Sequence, residues 1–107
     1  MPTVDAEVEL TVVTMAFHAA DDDRLRPHLA RYVVLARDEP GCRNVDLLAS
    51  TTTASTYVVI QKWESPDAQR AHFDSPLMVD FAAACVPLLA APPTIDLLEP
   101  ISAHDLR

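Results

Sequence analysis

The sequence predicts an α+β fold: a four-stranded antiparallel sheet with helices packed on one face. Three observations carry that reading. Short β-branched and apolar runs alternate with stretches whose apolar residues recur at helical spacing. A polar tract, Ser50-Thr51-Thr52-Thr53-Ala54-Ser55, sits at the middle of the chain and reads as a hairpin connection between two similar halves. Two helix starts, Ser65-Pro66-Asp67 and Ser75-Pro76, follow one another after only ten residues. In each, serine caps the free N–H groups and proline fits the first helical position.

The first strand is expected over residues 7–17, with Val8, Leu10 and Val12 on one face and Val13, Met15 and Phe17 on the other. Asp21-Asp22-Asp23 places carboxylates at the positive end of a helix that runs to about Asp38, burying Leu25, Leu29, Tyr32, Val33 and Ala36. Pro27 is expected in its first turn. Glu39-Pro40-Gly41 stops the helix, and Gly41 is the only glycine in the chain. Residues 44–50 form the second strand and residues 57–63 the third. In the third, Tyr57, Val59, Gln61 and Trp63 share one face, and Val58, Ile60 and Lys62 the other. The short helix after Ser65 carries His72, and the next presents Leu77, Met78, Phe81, Ala82, Cys85, Leu88 and Leu89. Pro87 bends or ends it, Pro92-Pro93 forces an extended exit, and residues 94–98 form the fourth strand. Two strand–helix–strand crossovers joined by a hairpin give the ferredoxin-like βαββαβ arrangement. Several strands are apolar on both faces while helices cover one. A second copy of the chain packed sheet to sheet is the simplest cover, so a homodimer is expected.

Bulk properties narrow the function. The 107 residues suit one domain, with a core over about 7–100 and a tail at 101–107. The net charge of −8, with no basic cluster, argues against nucleic acid and anionic membrane surfaces as partners. No apolar run approaches the length of a membrane span. Residues 1–13 carry Asp5, Glu7 and Glu9 and no basic segment, so they do not read as a secretory signal. Cys42 and Cys85 then read as reduced packing thiols, and a cytoplasmic location is expected. With no Cys-x-x-Cys or His-rich spacing, and no calcium-loop pattern in the Asp21–Asp23 run, no metal is expected.

Glu39-Pro40-Gly41-Cys42, Trp63-Glu64-Ser65, Ala71-His72, Ser75-Pro76 and Phe81, in this order and spacing, resemble the antibiotic biosynthesis monooxygenase family. The resemblance extends over about residues 7–100. It implies a dimeric α+β barrel and cofactor-independent oxygenation of a small electron-rich aromatic (an anthrone, phenol or quinol) by dioxygen, without metal, flavin or haem. The site it implies is the cavity between the sheet and its own helices. Two positions depart from the family pattern. Gln61 stands where a glutamate is common, and Leu77 where a second histidine often follows the Ser-Pro pair. The positions of the tryptophan and histidine of haem-degrading relatives hold His72 and Ala82, which argues against haem degradation.

His72 is the candidate base or orienting group, since imidazole titrates near neutrality. Trp63, Gln61 and Tyr57 share a strand face and are candidate substrate-binding residues. Asn44, just past the Gly41 turn, is a candidate orienting amide, or else a turn residue. His18 reads as a solvated group where strand one meets the acidic loop, His28 as a surface residue of helix one or else a cavity wall, and His104 as part of the tail. Two other functions fit the same pocket: isomerisation or cyclisation with His72 shuttling a proton, and ligand binding without turnover.

Overall fold

The computed structural model describes residues 10–102. The elements run β1 (Thr11–His18), α1 (Asp22–Ala36), β2 (Cys42–Ala49), β3 (Thr56–Trp63), α2 (Pro66–Phe73), α3 (Pro76–Cys85) and β4 (Thr94–Leu98), with a 3-10 turn at Val86–Leu88. The strands are hydrogen-bonded in the order β2-β3-β1-β4, all antiparallel, which is the ferredoxin-like order. The expected start of strand one at residues 7–9, and His104 with most of the tail, lie outside the described residues.

Each helix start follows from its cap. Asp21 accepts from the Arg24 N–H, Ser65 from Ala68, and Ser75 from Met78. Pro27 falls one turn deeper in α1 than expected, and the helix runs through it. Both Pro27 and Asp23, whose carbonyl loses its usual donor, are exposed, so water can take the place of that bond. α3 ends at Cys85 and tightens into the 3-10 turn containing Pro87.

The sheet has two unlike faces. Val13, Met15, Phe17, Val45, Tyr57, Val59, Gln61 and Trp63 point inward and are buried beneath α1, α2 and α3. The opposite face carries Val12, Thr14, Ala16, Val58 and Ile60, each partly exposed. At the β4 edge the helices stop short. Ile95 pairs with Met15 and Leu97 with Val13, yet they remain 43% and 62% exposed.

The α1–β2 turn is the most constrained connection. Gly41 adopts φ +81°, and a Cβ there would come within 2.5 Å of the Ala68 Cβ on α2. Its carbonyl accepts from the Glu64 N–H at 2.8 Å. The Arg37 guanidinium also bonds the Val45 carbonyl at 3.1 and 2.9 Å. The turn is thereby clamped between β2, the end of β3 and α2, which fixes where Glu39 projects.

Candidate active site

Four buried polar side chains meet between β3 and the helices, and a fifth reaches them from the turn. Tyr32 comes from the buried stripe of α1, Gln61 and Trp63 from the inner face of β3, and His72 from the inner face of α2. All four are at most 2% exposed. Trp63 Nε1 donates to Gln61 Oε1 at 2.9 Å, and Gln61 Nε2 donates to Tyr32 Oη. Tyr32 Oη lies 2.6 Å from His72 Nε2, and His72 Nδ1 lies 3.2 Å from Glu39 Oε1.

These contacts fix the direction of every proton. A carboxylate only accepts, so Nδ1 of His72 carries the hydrogen that Glu39 receives. Neutral imidazole then has a bare Nε2, which accepts from the Tyr32 hydroxyl. The chain Trp63 → Gln61 → Tyr32 → His72 → Glu39 therefore donates in one direction throughout. Ring contacts hold the geometry: Trp63 and His72 stack at 4.6 Å between centroids, and Tyr32 and Phe81 at 4.0 Å.

Burial lowers the pKa of His72, against an opposing pull from Glu39, so the imidazole is biased toward its neutral form. Burial raises the pKa of Tyr32, while the Gln61 hydrogen bond works the other way. Tyr32 is thus a neutral hydroxyl that can pass a proton on but resists becoming a standing phenolate. Cys85 is pushed up to about 11 by burial and Cys42 is also raised, so neither is poised as a thiolate nucleophile.

Two spaces open beside this cluster, both toward the β4 edge. A cleft of about 600 Å³ lies between the start of β1, the end of β4 and α2, with Gln69 in its lining. A hollow of about 70 Å³ lies between α3 and the β1–β4 pair, lined by Met15, Phe17, Met78, Phe81 and Cys85 among others. Tyr32, Gln61, Trp63 and His72 line neither space. Phe81 is the partition, with its ring stacked on Tyr32 and an edge on the hollow.

Of the candidates named from the sequence, His72, Gln61 and Trp63 are brought together. Tyr57 shares their face but sits at the far end of β3, where its hydroxyl donates to Asp22 Oδ2 at 2.6 Å. Ser55 donates to the same carboxylate at 2.8 Å, and with Tyr57 it holds the Asp22 pKa low. Tyr57 thus fastens the start of α1 to the sheet. Asn44 lies exposed on the outer face and donates to Asp46 Oδ2 at 2.9 Å. Tyr32 and Glu39 were not among the candidates. The signal for Tyr32 was a phenol in a buried helical stripe, whose hydroxyl needs a partner. Glu39 was visible only as part of the Glu39-Pro40-Gly41-Cys42 motif, which says nothing of its contact with His72.

Among the described residues no group of three or more His, Cys, Asp or Glu side chains could hold a metal ion, and no helix is long and apolar enough to cross a membrane.

An antiparallel sheet in this strand order, helices on one face and a buried polar chain beneath them define an α+β protein of the ferredoxin-like class. The chain belongs to the antibiotic biosynthesis monooxygenase family, whose sequence model matches residues 10–84. Among solved structures it is similar to Rv0793 from Mycobacterium tuberculosis, with 28% identity, a TM-score of 0.82 and coverage of 90% of this chain and 99% of the other. PA3566 from Pseudomonas aeruginosa shares 20% identity at a TM-score of 0.80, covering 90% and 98%. A variant of SnoaB, described as a cofactor-independent oxygenase from Streptomyces nogalater, shares 22% identity at 0.76, covering 90% and 96%. Among curated proteins no sequence matches the chain.

Proposed function

We propose that this protein is a cofactor-independent monooxygenase that oxidises a small electron-rich aromatic, an anthrone, phenol or quinol, with dioxygen. The observation that carries the proposal is the Tyr32–His72 pair: a buried imidazole, biased to its neutral form, whose free nitrogen receives a tyrosine hydroxyl. Family membership and the likeness to SnoaB supply the reaction class.

The substrate lies over the inner face at the β1–β4 edge, and Phe81 moves aside to expose Tyr32. Tyr32 Oη donates to His72 and accepts from Gln61, leaving a lone pair for a substrate O–H. As that proton passes to Tyr32, the Tyr32 proton passes to His72 Nε2, and Glu39 stabilises the imidazolium. The substrate anion gives one electron to dioxygen, and the resulting radical and superoxide combine at carbon. The imidazolium returns its proton to the peroxide, which loses water and leaves a carbonyl. One oxygen atom enters the product and the other leaves as water. A dry site favours this sequence by preventing early quenching of the anion.

Trp63 and Gln61 orient Tyr32 in this scheme. Tyr57 and Asn44, proposed from sequence as pocket residues, take no part in it. A second copy of the chain covers the outer sheet face. The test is isotopic: chelator-treated protein turning over an anthrone under ¹⁸O₂ should place one labelled atom in the quinone above the autoxidation blank. Unlabelled product formed without oxygen would point to isomerisation or cyclisation. The closed hydrogen-bond chain, which lines neither space, favours one further reading: a binding or accessory protein. Saturable ligand binding with no turnover on any substrate would support it.

A further inference from the structure

Among the buried polar side chains of the described residues, Gln69 is the one whose amide is left over. It is 8% exposed, lies one turn before His72 on the inward face of α2, and lines the cleft of about 600 Å³. Among the described residues its backbone N–H bonds the Ser65 carbonyl, but no protein hydrogen bond reaches its side chain. Buried amides are almost always paired, so an exception that faces a cavity points to a ligand. The cleft's walls say what kind. Leu10, Leu97, Leu98 and Pro66 form apolar sides suited to a flat hydrophobic body. A primary amide presents an acceptor and a donor side by side, and its complement is a donor beside an acceptor on one molecular edge. The surroundings do not favour an anion. Arg70 at the rim is already 3.0 Å from Asp67, and the Glu99 carboxylate shares the lining.

We infer that this cleft is a binding site in which the Gln69 amide pairs edge to edge with a planar aromatic carrying a lactam-type N–H and C=O. The site is separate from the Tyr32–His72 pair and does not depend on oxygen chemistry. It is tested by binding alone, with probes that have no quinol to oxidise. 2-Quinolone carries the paired edge, N-methyl-2-quinolone keeps the carbonyl and loses the donor, and 2-naphthoate is a flat anion. Titration by NMR should show saturable 2-quinolone binding that shifts the Gln69 side-chain amide resonances. N-methylation and Gln69→Leu should each weaken binding by about tenfold or more, because a site built around a hydrogen bond rejects a partner that lacks it. Arg70→Ala should weaken it far less than Gln69→Leu. Gln69→Leu should melt at or above the wild-type temperature, since it removes an unpaired buried amide. The inference is overturned if 2-quinolone does not saturate, if Gln69→Leu binds it as well, or if Gln69→Leu melts lower. Preference for 2-naphthoate, lost in Arg70→Ala, would equally overturn it in favour of an anion site.

Discussion

The Tyr32 hydroxyl is the hinge of the buried chain, donating to His72 and accepting from Gln61. Tyr32→Phe keeps the ring and its stacking on Phe81 but leaves a buried amide donor and a buried imidazole nitrogen unpaired. A loss of about 2–4 kcal/mol in unfolding free energy is expected, read by urea denaturation. The pH dependence follows from His72. Its folded pKa is lowered, so the unfolded chain binds the proton more readily. The stability contribution is therefore present above the unfolded value of about 6.5 and is lost as pH falls toward the folded value. A melting temperature that drops below about pH 6.5 in wild type, and less so in His72→Gln, would bear this out. Sequence showed which residue types could do chemistry, and His72, Gln61 and Trp63 were picked out from it. Tyr32 and Glu39 were not, because their partners lie 40 and 33 residues away along the chain. Periodicity reports that Tyr32 faces inward, but not what its hydroxyl meets.

Among the elements, the α1–β2 turn does the positioning. Gly41 has both a left-handed backbone and no room for a side chain against Ala68. Gly41→Ala meets both costs, and a loss of about 2–4 kcal/mol is expected in denaturant unfolding. Because the same turn carries Glu39, this variant should also loosen the His72 contact, seen as a broadened or shifted His72 ring resonance. An unchanged stability would mean that the turn and α2 can separate freely. The elements were legible because local chemistry marks them: the Ser-Pro caps, the Pro-Gly turn and the polar hairpin all act within a few residues. Boundaries set by packing were less so. Pro27 was expected in the first turn and sits in the second, a placement the exposed side of α1 tolerates.

For the whole molecule, the sheet's helix-free face is where the proposed homodimer would form. Val12, Ala16, Val58 and Ile60 form its partly exposed apolar centre. With a second copy covering it, Ile60→Lys should bury a charge from each protomer in the interface and shift the protein to monomer in sedimentation. Persistence of the wild-type state in that variant would exclude this face. The ferredoxin-like order was predictable because short, right-handed crossovers leave few alternatives. The ligand was not, because the clefts at the β4 edge are shaped by where α2 and α3 stop relative to an edge strand, a tertiary outcome that no local pattern encodes.

The most direct measurement is oxygen uptake by the chelator-treated protein with anthrones and quinols, comparing wild type, Tyr32→Phe and His72→Ala against autoxidation blanks. The relay predicts wild-type uptake above the blank, with quinone formed one for one with oxygen consumed. It predicts a fall of about a hundredfold or more in either variant, the usual scale of lost acid–base catalysis. Uptake indistinguishable from the blank, or undiminished in both variants, would contradict the account.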